Sequence, residues 1–180
     1  VMHYTQQKNI KGVDIEDIYI GNGVSELIVM AMNALLNVGD EVLVPDPGYP
    51  AYAAAATLAG GVVRKYDLTD ENGWLPDMDA IEAAVNERVK IMWINYPHMP
   101  TGAGATRQLF EKLVIFSRKH RILLCSDNPY SFILNNDHLS ILSIPGAAET
   151  ALELNSLSKS HNMAGWRIGM LAGNKSYINT

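Results

Sequence analysis

Hydrophobic and polar positions along the chain change period repeatedly, from runs suited to strands to stretches suited to helices. Short β-rich runs at 17–20, 41–44, 62–67, 90–95 and 121–126 alternate with helix-like stretches at 24–37, 51–59, 77–86 and 106–120. In the first helix Leu27, Ala31 and Leu35 recur every fourth residue, and Gly39 closes it. The 51–59 stretch is alanine-rich and ends at Gly60-Gly61. Thr106 is placed to cap a helix whose inner face is Leu109, Leu113 and Phe116. The 121–126 run is continuously apolar, as in a strand buried on both faces. Two further strands fall at 151–154 and 168–172. This alternation predicts an α/β fold, a mainly parallel seven-stranded sheet flanked by helices. Such sheets collect ligands at the carboxyl ends of their strands. Every chemically suggestive cluster below sits at a strand end or in the turn after it.

Composition narrows the class. At 180 residues the chain is long enough for one core and one domain, with 48% hydrophobic and 18% charged residues. Fourteen basic against 19 acidic residues give a net charge of −5, with no basic cluster, which argues against a nucleic-acid surface. No apolar run reaches the length of a membrane span, and no signal-peptide pattern opens the chain. The single cysteine, Cys125, excludes a disulfide framework within the chain and points to a reducing, cytoplasmic location. The pattern opens and closes in mid-element, so the chain is expected to be part of a longer protein.

Five clusters carry chemistry. Gly21-Asn-Gly-Val-Ser-Glu26 joins a strand to a helix. It reads either as an ordinary capped turn or as a site where the amides of Gly23, Val24 and Ser25 meet an anion. Asp46-Pro-Gly-Tyr-Pro-Ala-Tyr52 is a rigid loop whose Tyr49 either packs locally or lies on a planar ligand. Asn95-Tyr-Pro-His-Met-Pro-Thr-Gly102 follows the fourth strand, and its His98 is either structural or a polar group for the site. Ser126-Asp127-Asn-Pro-Tyr130 ends the buried strand, placing a carboxylate and a phenol three residues apart. Last, Ser156-Leu-Ser-Lys-Ser-His-Asn-Met-Ala-Gly-Trp-Arg-Ile-Gly169 sets Lys159 between two anion ligands, Ser156 and Arg167.

Together and in this order, the clusters resemble the class I/II aminotransferases, fold-type I enzymes dependent on pyridoxal phosphate (PLP). S-x-S-K followed by M-x-G-W-R-x-G is similar to the cofactor-lysine motif, P-x-x-P-T-G to the N-P-T-G loop, and S-D-x-x-Y to S-D-E-x-Y with Asn128 for Glu. The first part, including G-N-G-V-S-E-L-I, is most similar to the alanine-aminotransferase branch. The resemblance covers almost the whole chain and implies that residues 1–180 are the PLP-binding large domain, without the N-terminal arm and the C-terminal small domain. It implies ping-pong exchange of an amino group between an amino acid and a 2-oxo acid, in a homodimer. Lys159 would hold PLP as the internal aldimine and then move protons. Asp127 would face the pyridine nitrogen and Tyr130 the phenolate oxygen, with Tyr49 stacked on the ring. Ser156, Arg167 and the amides of Gly23, Val24 and Ser25 would hold the phosphate. One residue departs from the pattern: Met99 stands where the family carries an asparagine before Pro-Thr-Gly, and a thioether donates no hydrogen bond. Two alternatives stay open: a PLP-dependent carbon–sulfur β-lyase, and the PLP-sensing effector domain of a transcription regulator.

Overall fold

The computed structural model describes residues 1–180. Seven strands form one sheet: β1 (Ile18–Asn22), β2 (Glu41–Asp46), β3 (Val62–Asp67), β4 (Val89–Asn95), β5 (Leu123–Asp127), β6 (Ala151–Ser156) and β7 (Ile168–Gly173). Their spatial order is β1-β7-β6-β5-β4-β2-β3. The β2–β3, β2–β4, β4–β5 and β5–β6 pairs are parallel; only β7 runs against its neighbours β1 and β6. The helices are α1 (Val24–Leu35), α2 (Ala51–Leu58), α3 (Met78–Ala84), α4 (Arg107–His120) and the single turns α5 (Leu157–Ser160) and α6 (Lys175–Ile178). The expected architecture and all seven strands are present. The strand at 121–126 begins two residues later, at Leu123, because Arg121 adopts a left-handed conformation (φ 56°) that ends α4.

The sheet is covered on both faces, which explains why its central strands read as unbroken apolar runs. On β4, Met92 and Ile94 face a core built with Leu109, Phe110 and Leu113 of α4, while Ile91 and Trp93 face Leu27, Ile28 and Met32 of α1. Thr106 Oγ1 accepts the Leu109 amide at 3.1 Å, the predicted cap.

The direction of β7 matters for the site. Because β1, β2, β4, β5 and β6 share one direction, the residues after them emerge at a common edge. Antiparallel β7 begins at that edge, so Arg167, immediately before Ile168, arrives there too. Gly169 makes this junction possible. It pairs with Gly21, and a Cβ on it would lie 2.7 Å from both Gly23 C and Val24 N, so only glycine lets β7 pass under the start of α1.

Candidate active site

A cleft of about 240 Å³ opens at the shared edge, and Val24, Ser25, Tyr49, Met99, Asp127, Tyr130, Ser156, Lys159 and Arg167 line it together. Four loops, two strand ends and the helices α1 and α5 thus converge from positions spread over most of the chain. No carboxylate lies within salt-bridge distance of Lys159 or Arg167.

One end of the cleft suits an anion. Arg167 is held in the left-handed region (φ 52°), and its Nη1 donates weakly to Ala164 O at 3.4 Å. A Cβ on Gly23 would meet Arg167 Nη2 at 2.4 Å, so the guanidinium lies against the glycine that starts α1. Val24 and Ser25 are the first residues of that helix, whose leading amides have no acceptor within it. Gly23 differs from the expectation: its amide donates to Gly21 O at 2.9 Å, closing the turn. Its contribution is room for Arg167, and the free amides are those of Val24 and Ser25. Ser156 caps α5 by accepting the Ser158 amide at 3.1 Å, which leaves its hydroxyl proton available to an anion.

The cleft also holds a buried carboxylate. Asp127 is the last residue of β5, its Oδ2 accepts the Tyr52 hydroxyl at 2.7 Å, and its Oδ1 is buried without a partner. Burial pushes the acid up from 3.8 to about 6, against the lowering effect of the Tyr52 hydrogen bond. Tyr52 itself is clamped, stacked on Trp93 with centroids 4.8 Å apart. Tyr49 packs edge-on to Tyr52 at 5.6 Å, and its hydroxyl lies 3.2 Å from Ser25 Oγ. Tyr130 is raised above the usual phenol range by burial and by the neighbouring Asp127 and Tyr49, so it stays a proton donor.

The 95–102 loop is fixed by two residues. Asn95 donates to Asp127 O at 2.8 Å and accepts the Met99 amide at 2.8 Å, tying the ends of β4 and β5 to the loop. His98 does not enter the cleft. Its ring contacts Pro47 O at 3.1 Å and Thr101 Oγ1 at 2.8 Å, stapling the Met99 loop to the Tyr49 loop. Since Pro47 O only accepts, Nε2 carries the proton; burial holds the imidazole below its ordinary value. Beside Met99 the cleft is lined by Asn95, whose amide is already committed to backbone at both ends.

The family described as aminotransferase class I and II matches residues 1–180. The chain belongs to the class I and II aminotransferases. It is 47% identical over 154 residues to LL-diaminopimelate aminotransferase 2 of Trichormus variabilis, covering 84% of this chain and 40% of that protein. Apo-BacF from Bacillus subtilis superposes with a TM-score of 0.93 at 35% identity, over 98% of this chain and 45% of that one. An Escherichia coli aminotransferase gives 0.87 at 39% identity, over 99% and 46%. The chain thus spans about two-fifths of the curated relative's length.

The family is PLP-dependent, and the cleft can be tested against that cofactor. PLP carries a dianion at one end of its ring and a basic nitrogen at the other. Here a free arginine and a helix start line the same cleft as a buried carboxylate, one of whose oxygens lacks any partner. An orphaned buried oxygen costs stability, about 1–3 kcal/mol, unless a ligand satisfies it. A ring N–H at Asp127 Oδ1 is such a ligand, so the residues present fit the cofactor.

Two residues that shape the cleft carry almost no signal in the sequence. Tyr52 fell within an alanine-rich helix, and only its three-residue spacing from Tyr49 hints at a shared side. Asn95 lies within a recognisable motif, yet nothing in the sequence shows that both ends of its amide bind backbone.

Proposed function

We propose that this chain is the cofactor-binding large domain of a PLP-dependent aminotransferase, moving an amino group between an amino acid and a 2-oxo acid by a ping-pong route. The observation that carries the proposal is the unpartnered Asp127 oxygen sharing a cleft with the unpaired Lys159 and Arg167. When bound, PLP supplies an electron sink for charge developing at the substrate Cα.

The chain's own residues divide the work. Arg167, Ser156 and the amides of Val24 and Ser25 hold the phosphate as charge-assisted donors. Asp127 accepts a hydrogen bond from the ring nitrogen and favours its protonated form; that cationic partner in turn draws the Asp127 acid down from about 6. Tyr52 fixes which carboxylate oxygen is offered. The Tyr49 ring covers one face of the cofactor. Tyr130, kept protonated, donates to the phenolate oxygen. Lys159 would hold the cofactor and, once its amine is free, would move a proton to and from the substrate Cα as general base and acid.

The named relative acts on LL-diaminopimelate, and that substrate and the alanine/glutamate pair are both assigned for test. Homodimerisation and a cytoplasmic location belong to the same proposal. Tyr19 and Ile20 on β1 and Trp166 beside β7 are exposed apolar side chains that a second copy can cover. Met99 supports one alternative, β-elimination at a carbon–sulfur bond, since it withholds a hydrogen bond from the substrate side of the cleft. Assays of the parent enzyme with LL-diaminopimelate or alanine plus a 2-oxo acid test the proposal. Amino transfer that requires the 2-oxo acid supports it, while thiol release from cystathionine without any 2-oxo acid overturns it in favour of the lyase.

A further inference from the structure

A second set of buried polar side chains surrounds Lys8. Its Nζ lies 2.7 Å from Glu153 Oε1, with both side chains completely shielded from solvent, and 3.2 Å from Asn155 Oδ1. Glu153 and Asn155 alternate on β6, and Asn155 is one residue short of Ser156 and four short of Lys159. Both are committed elsewhere as well. Glu153 Oε2 accepts the Ser140 hydroxyl at 2.6 Å and the Ile141 amide at 3.0 Å, and Asn155 donates to the Tyr4 hydroxyl at 2.7 Å. Burial raises the Glu153 acid, but Lys8, Ser140 and Asn155 more than offset it and the net direction is down, so Glu153 is a carboxylate.

The same ammonium stands 5.9 Å from the centre of the Phe132 ring. That ring is gripped between His3, at 5.1 Å, and His138, at 4.1 Å, and His138 reaches back to Ser131 O at 2.8 Å. Phe132 lies two residues after Tyr130. One cation therefore touches both elements that deliver proton-handling groups to the cleft: the strand leading to Lys159 and the loop carrying Tyr130. A buried ion pair adds little net stability compared with apolar packing of the same shape, and its best-attested use is to fix register.

We propose that Lys8 is a positioning residue of the cleft, setting the Tyr130 hydroxyl relative to Lys159 through Phe132 on one side and Glu153 with Asn155 on the other. The proposal rests on the cofactor reading above. It deepens that reading by extending the machinery to residues 3–8, which line no part of the cleft.

The test uses the parent enzyme with three variants: Phe132→Leu, the double variant Lys8→Met/Glu153→Leu, which removes both charges together, and Tyr130→Phe as reference. The readouts are the dissociation constant for PLP, the pH midpoint of the bound cofactor's visible band, and the melting temperature. Phe132→Leu and the double variant are expected to move the midpoint in the same direction as Tyr130→Phe by about half a pH unit, equivalent to roughly threefold in an equilibrium constant. Melting temperatures should stay close to that of the parent. A midpoint unmoved in either variant, while Tyr130→Phe moves it, overturns the proposal and leaves Lys8 a staple of the fold. A silent Tyr130→Phe overturns the assignment of Tyr130 and this proposal with it. Phe132 is only half buried, so its variant carries the test even if the double variant fails to fold.

Discussion

Replacing Asp127 with asparagine should stabilise the cofactor-free protein while weakening its grip on PLP. The carboxyl is held in a dry strand end where burial raises it from 3.8 to about 6, even with Tyr52 donating to one oxygen. A group whose folded value lies above its unfolded value penalises folding once it ionises. The penalty is complete above the folded value, about 6 here, and disappears below the unfolded value. At 1.36 kcal/mol per pH unit, the rise from 3.8 to about 6 corresponds to about 3 kcal/mol at neutral pH. Asparagine is neutral, nearly isosteric, and still accepts from Tyr52. Urea unfolding of the apo parent enzyme and of Asp127→Asn, at pH 7.5 and at pH 4.5, provides the assay. The variant should be more stable by about 1–3 kcal/mol at the higher pH, the lower part of the range allowing for relaxation of the site, and the gain should shrink at the lower pH. With PLP present the order should reverse. An apo variant less stable than the parent at pH 7.5, or a gain independent of pH, would refute the reasoning.

Tyr52→Phe should act oppositely on the same group. Without its hydroxyl the Asp127 acid rises further, the apo protein loses about 1.5–3 kcal/mol above that value, and the loss fades as pH falls, readable by the same unfolding series. Gly169→Ala should cost about 1–3 kcal/mol and weaken PLP binding more than tenfold, because the new Cβ meets backbone of Gly23 and Val24 and displaces the helix start from Arg167; fluorescence titration with PLP reads this. Met99→Asn should supply a donor at the cleft wall and tighten PLP by about 1 kcal/mol, roughly fivefold, whereas an unchanged dissociation constant would place residue 99 off the cofactor. The isolated 180 residues should transaminate poorly or not at all, and turnover matching a full-length relative would contradict the large-domain proposal.

The sheet was legible because its information is local. The continuous apolar run at 121–126 announces a strand buried on both faces, and Thr106 marks a helix start by its capping chemistry, whereas α1 ends at Leu35, short of Gly39. The site residues were legible as types at strand ends, since a lysine, an aspartate and an arginine beside glycine-rich turns have few shared uses. What the sequence hid is pairwise and distant. The Asp127 partner lies 75 residues away on α2, and the Lys8–Glu153 pair spans 145 residues, so neither leaves a periodic trace. Gly23 was read for its amide, but the structure uses its missing side chain, a distinction that depends on where Arg167 arrives. The antiparallel course of β7, which brings that arginine to the cleft, follows from sheet pairing rather than from any residue pattern.

The central claim, that Lys159 holds PLP in a cleft built for it, is tested most directly by covalent trapping. The parent enzyme is mixed with PLP, reduced with borohydride, digested and analysed by peptide mass. A single phosphopyridoxyl adduct on Lys159 is expected, with the visible cofactor band lost in Lys159→Ala. An adduct spread over surface lysines, or an unchanged band in Lys159→Ala, would contradict it.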